Sequence, residues 1–278
     1  MSENEMEIAK KNFWPDAKNY KFNDEGYKEA IKMAVGDLMV RTLKRKSGKT
    51  NNLLIDLCSE GESFLEHLKK WFKEDITSLD KQSLKNKFDN MHKIICKNVL
   101  NILQKYYTNS DGTDVCYGKA QKIVNMTFKY LYCIPGTNKK EDYFTYCHVA
   151  LDTFTLEWLY RKCKTTKRTI IRDNLVPWSN ITNKECKKNG KEIYSYEKLQ
   201  EIFRELVTDP KTDLNLTPFQ TEFYIWPQMR LTLACEHLYS LQSKENLSEF
   251  RNKSLNEKIS ELRNCIDSIK FEDTNCFI

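Results

Sequence analysis

Between residues 80 and 107 the apolar side chains Leu84, Phe88, Met91, Ile95, Val99, Ile102 and Tyr106 recur every three or four positions. That spacing suits an α-helix with one side against a core, and it does not suit a strand, whose sides alternate with period two. The same period returns at Ala30, Ile31, Ala34, Val35, Leu38 and Met39, and again at Phe64, Leu65, Leu68, Trp71 and Phe72. It returns in "CYGKAQKIVNMTFKYLYC", "VALDTFTLEWLYRKC", "SYEKLQEIFRELV", "QMRLTLACEHLYSL" and "LSEFRNKSLNEKISELRNCIDSI". Eight Gly and six Pro are few for 278 residues, which disfavours the turn-rich alternative of antiparallel sheets. The sequence therefore predicts an all-α fold, a compact multi-helix domain of roughly seven to nine helices.

Only residues 164–195 break the helical period, and they hold one short strand pair or only loop. Thr217-Pro218-Phe219-Gln220 reads as a helix start, with Thr217 as cap and Gln220 reaching back. Trp226-Pro227 should kink or restart the chain. With no internal repeat and no linker rich in Gly, Ser or Pro, residues 1–278 read as one domain. The alternative is a split near residue 110 into helical subdomains 1–110 and 111–278.

Lys and Arg number 45 against 39 Asp and Glu, a net charge of +6 that permits RNA, DNA, an anionic metabolite or an acidic protein partner and demands none. The charged start "MSENEMEIAKKNFW" has no apolar signal region, and no run approaches a membrane span, so a cytoplasmic chain without membrane contact is expected. The ten cysteines form no C-x-x-C pair and several sit on apolar helix faces, so they read as reduced, structural thiols. The spacing of Cys133, Cys147, His148 and Cys163 matches no standard zinc pattern, so no metal is expected. H-E-x-x-H, G-x-S-x-G and G-x-G-x-x-G are absent, as is a true P-loop around Ser47-Gly48-Lys49-Thr50, so no cofactor is implied.

Three stretches could carry chemistry. On the helix of residues 118–132, Lys122, Asn125 and Lys129 line up opposite the apolar side, with Gln121 and Tyr132 flanking. Lys offers charge to an anion, and Asn and Gln offer paired donors and acceptors. That side is either ordinary wet surface or the wall of a cleft shared with the 148–161 helix. His148 and Asp152 are four apart and share a face if that helix has begun by His148. These five residues, Lys122, Asn125, Lys129, His148 and Asp152, form the candidate ligand set. "GKAQKIVNMTFKYLYC" followed by "CHVALDTFTLEWL" resembles a pattern of uncharacterised bacterial proteins. The resemblance implies a bacterial or phage origin and a unit made of these two helices.

In "RLTLACEH", Arg230 and His237 are two turns apart. The pair is similar to the motif of HEPN-type ribonucleases, which implies metal-independent RNA cleavage at a dimer interface, although Leu231 stands where that family has a polar residue. There His would move the 2′-hydroxyl proton and Arg would stabilise the developing phosphorane charge. A surface Arg beside a core-edge His is the plainer account. Basic clusters occur at Arg41, Lys44, Arg45, Lys46 and Lys49, and at Arg161, Lys162, Lys164, Lys167, Arg168 and Arg172. The second cluster has Trp158, Tyr160 and Trp178 nearby, which suits phosphate contacts with base stacking. Solvated helix ends are its plainer account. The resulting expectation is a helical binding protein contacting nucleic acid through basic loops. A protein-interaction module stands second and a HEPN-like ribonuclease third.

Overall fold

A computed structural model of the chain describes residues 3–46, 52–59, 63–165, 172–184, 186–188, 190–208, 216–243 and 247–268. Among these the helices are α1 Glu3–Phe13, α2 Asp24–Thr42, α3 Leu53–Ser59, α4 Phe64–Lys73, α5 Lys81–Tyr106, α6 Tyr117–Cys133, α7 Thr153–Thr165, α8 Tyr196–Thr208, α9 Pro218–Ser243, α10 Leu247–Asn252 and α11 Leu255–Ser268. The fold is predominantly helical, as the periodicity requires, with more helices than the expected seven to nine because short ones such as α3 and α10 lie between the long ones. Two antiparallel strand pairs complete it: β1 Leu43–Arg45 with β2 Tyr107–Asn109, and β3 Cys186–Lys188 with β4 Lys191–Ile193. The second pair falls in the irregular region, where Gly190 at φ +77° makes its turn. Among the described residues no helix is long and apolar enough to cross a membrane.

The chain forms two compact units, Met1–Tyr224 and Ile225–Ile278, so residue 110 lies inside the first. The boundary falls within α9, which runs through Pro227 without restarting. In the second unit, Tyr239 stacks on Phe250 at 4.2 Å and Leu262 packs against the pair.

Side-chain caps set the helix starts. Asn23 accepts from the Gly26 N–H, Ser63 from Glu66, and Asp80 from Gln82 and Ser83. The capping box at Thr217 and Gln220 forms reciprocally, with both bonds at 3.1 Å. At the start of α6, a Cβ on Gly118 would lie 1.8 Å from the Trp178 carbonyl oxygen, so only glycine allows the Trp178–Asn180 turn to pack there.

The first unit is built around α6. Every residue from Tyr117 to Cys133 is buried except Lys122, which is half-buried. Of the two expected readings the ordinary wet surface is excluded, because the polar side chains of this helix face other buried protein rather than water. Aromatic rings fill the space around it: Phe72, Phe88 and Phe144 pack against Phe128, and Trp14 and Phe13 against Tyr130.

Candidate ligand cleft and the buried polar network

What α6 presents its polar side to is a buried length of chain in neither helix nor strand, residues 148–152, before α7 begins at Thr153. Buried backbone groups need partners, and here side chains supply them. Gln121 donates to the Leu151 carbonyl at 2.9 Å and accepts from the Leu151 N–H at 3.3 Å. From α8, Gln200 treats Val149 the same way, donating to its carbonyl at 2.7 Å and accepting from its N–H at 3.1 Å. Asn125 adds a second donor to the Val149 carbonyl at 2.9 Å. Glu222 of α9 accepts from the Ala150 N–H at 2.8 Å, and Thr155 closes on Ala150 and Asp152. Side-chain amides thus take the place of a neighbouring strand.

Asp152 caps α7, accepting from the Phe154 and Thr155 N–H groups. His148 and Asp152 therefore lie on no common helix face, because the helix starts after both. Lys122 reaches Asp152 at 3.3 Å and lies 4.7 Å from the Trp178 ring. Lys129 is paired with Glu222 at 2.9 Å between the rings of Phe13 and Phe223, all deeply buried except Phe13. Burial holds the Glu222 carboxyl above its ordinary range, against the pull of Lys129.

A second network continues from Asn125. Its carbonyl accepts from His92 Nε2 at 2.6 Å, and its amide donates to the Tyr196 hydroxyl at 2.9 Å. The Tyr196 hydroxyl lies 2.8 Å from His148 Nδ1, and His148 Nε2 lies 2.8 Å from Asp89 Oδ1. A carboxylate only accepts, so His148 carries its proton on Nε2 and takes the Tyr196 hydroxyl proton as an acceptor. The two imidazoles are 4.2 Å apart and buried. Burial pushes His148 down to about 4 and His92 well below its ordinary value, the latter reinforced by His148 itself. Both rings are neutral near pH 7. Asp89 is gripped by Arg204 through two bonds of 2.9 and 2.7 Å and by Lys85 at 3.1 Å. Although burial opposes it, His148 and Arg204 hold the carboxyl well below the usual range.

Above this network opens a cleft of about 820 Å³ between α5 and α8. Its floor includes His148, Tyr196, Ser195, Gln200 and the Asp89–Arg204 pair. Its rim carries Lys85, Asn90 and Lys93 from α5, Glu197, Glu201 and Glu205 from α8, and Lys184 from the loop before β3. No protein-family model, curated protein or solved structure matches this chain.

Of the candidate ligand set, His148 alone lines this cleft, while Asn125 holds the buried segment, Lys122 pairs with Asp152 and Lys129 with Glu222. Asp89, His92, Tyr196, Gln200 and Arg204 were not among the expected site residues. One signal for them lay in the sequence: His92 follows Phe88 by four on the apolar side of α5. In the second cluster, Arg161 and Arg172 both bond to Glu157, and Arg172 lies 4.1 Å from the Tyr160 ring. Lys162 lies 5.9 Å from the Trp158 ring. Lys167 and Arg168 lie outside the described residues, as does Lys49 of the first cluster; the side chains of Lys164 and Arg41 are likewise not described. Arg230 and His237 are exposed on α9, with Arg230 5.5 Å from the Trp226 ring.

Cys58, Cys96, Cys116, Cys133, Cys147, Cys163, Cys186 and Cys235 are free thiols, and Cys96, Cys133, Cys147 and Cys163 are buried. No group of three or more metal-ligating side chains occurs among the described residues.

Proposed function

We propose that the protein is a helical binding protein whose ligand, a small polar molecule, sits in the cleft between α5 and α8. The observation that carries this reading is the cleft itself: about 820 Å³, walled by charged side chains, over a floor of fixed hydrogen-bonding groups and one matched ion pair, Asp89–Arg204. That volume falls in the range of small-molecule sites. The floor is rigid because each of its groups is already oriented by a partner, which reduces the ordering cost of binding.

Equilibrium dialysis against a mixture of amino acids, short peptides, nucleotides and sugar phosphates, read by mass spectrometry, tests it. Wild type should enrich a component that Asn90→Trp, which fills the cleft from exposed surface, does not. Equal enrichment by both, or none by either, overturns the reading.

A second reading is nucleic-acid binding along residues 161–172, favoured by the exposed Arg172 lying over Tyr160, a pairing of cation and ring that can stack on a base. Against it, the carboxylate of Glu157 already binds both Arg161 and Arg172, leaving one net positive charge for the two. Binding of labelled RNA that weakens steeply with salt, and that is weaker and less salt-dependent in an Arg172→Gln variant, supports it. Shortened RNA after incubation brings Arg230 and His237 forward.

A further inference from the structure

Resting on the reading of the cleft as the ligand site, we infer that its ligand is a zwitterion, a molecule with an ammonium at one end and a carboxylate at the other. The argument is the distribution of charge between the walls. On α5, Lys85, Asp89 and Lys93 follow one another at intervals of four, which places them along one side of the helix. Asp89 contributes no net anion to that wall, since Oδ1 and Oδ2 are taken by His148, Arg204 and Lys85. The α5 wall is therefore cationic, and Lys184 adds to that sign. On α8, Glu197, Glu201 and Glu205 recur at the same interval, and the one cation between them on the floor, Arg204, is matched by Asp89. Lys198 offsets part of this at Glu201, at 3.0 Å. The α8 wall is the more acidic.

Between the walls the floor carries no net charge: the Arg204 guanidinium and the Asp89 carboxylate match each other, His148 is neutral, Tyr196 is protonated, and Ser195 and Gln200 carry no charge. A simple anion would face the glutamates and a simple cation the lysines. A dipolar molecule lying across the cleft meets an opposite charge at each end. The walls already show the arrangement such a ligand would copy, because Lys93 and Glu197 bridge across at 2.8 Å. Their side chains are 56% and 53% exposed, so the pair is screened by water and contributes little. Exchanging it for the two ends of a ligand costs correspondingly little.

The chemistry is shared by free amino acids and by short peptides with both ends unblocked. Isothermal titration at low salt separates them, using alanine, trialanine and pentaalanine, with the peptides also N-acetylated or C-amidated. The expected result is that one of the unblocked forms binds and that each single block weakens it about tenfold, the loss of one charge-assisted hydrogen bond. Lys93→Gln should weaken the free peptide and leave the C-amidated one unchanged, and Glu197→Gln should do the converse with the N-acetylated one. Both residues are on the surface, and circular dichroism confirms the fold.

Equal binding of blocked and free forms, lost in Asn90→Trp, overturns the zwitterion while the cleft stands. No binding of any form overturns the zwitterion as well, and the dialysis result then decides separately whether the cleft is the site. Binding unaffected by Asn90→Trp overturns both.

Discussion

Gln121 holds Leu151 by both of its backbone groups, the amide nitrogen donating to the carbonyl and the amide oxygen accepting from the N–H. A side chain does here what a neighbouring strand does in a sheet. Removing it leaves two buried polar groups without partners, and each such group costs on the order of 1–3 kcal/mol. Gln121→Leu, of similar volume, should lower unfolding free energy by about 3 kcal/mol in denaturant melts. A loss under about 1 kcal/mol would mean that water or a shifted backbone restores the bonds.

Breaking the Lys129–Glu222 pair should be worse than removing it. Lys129→Met leaves the Glu222 carboxyl, which also holds the Ala150 N–H, without its counter-ion in the interior. A loss of about 3–5 kcal/mol is expected. Lys129→Met with Glu222→Gln should cost less than the sum of the two single changes, and additive losses would show that the pair is not coupled.

Acid should loosen the fold through His148. Its ring is held to about 4 in the folded chain, mainly by burial, against an ordinary 6.5. Between those values the unfolded chain binds a proton that the folded chain refuses, so the stability is complete above about pH 6.5 and falls as pH drops toward 4. His92, depressed further, acts in the same direction, and Glu222, raised by burial, acts in the opposite one. The contribution is therefore read as a difference. The stability gap between wild type and His148→Asn should shrink by on the order of 3 kcal/mol from pH 7 to pH 4. A constant gap would mean that the ring titrates in the fold near its ordinary value, and a gap widening toward acid that the fold favours its charged form.

Gly118→Ala should be poorly tolerated. The added carbon would overlap the Trp178 carbonyl oxygen, which belongs to the backbone and has no rotamer to escape into. A loss of about 3 kcal/mol or more is expected in thermal or denaturant unfolding. Gly36, where an added Cβ meets nothing within 4 Å, is the matched control and should accept Ala without loss.

The readable parts of this fold are those whose cause is local. The α5 stripe, the α4 stripe and the capping box at Thr217 and Gln220 each depend on residues a turn or so apart. The polar side of α6 stays open between two readings in the sequence because periodicity shows only that one stripe is apolar. Lys129, Asn125 and Gln121 look the same in sequence whether they face water or buried protein. Their partners, Glu222, Val149 and Leu151, lie 24 to 93 residues away. His148 was legible as a candidate, but Asp89, Arg204 and Tyr196 join it only through packing of α5 and α8, between 48 and 115 residues apart in the chain.

The segment from His148 to Asp152 has a kinetic consequence. It has no hydrogen-bonded strand beside it and cannot fold as a local unit, since its donors wait on side chains from α6, α8 and α9. The amide hydrogens of Val149, Ala150 and Leu151 can then meet solvent only when those helices separate. Their exchange with deuterium should run at the rate set by opening of the whole first unit, slower than that of helix ends on its surface.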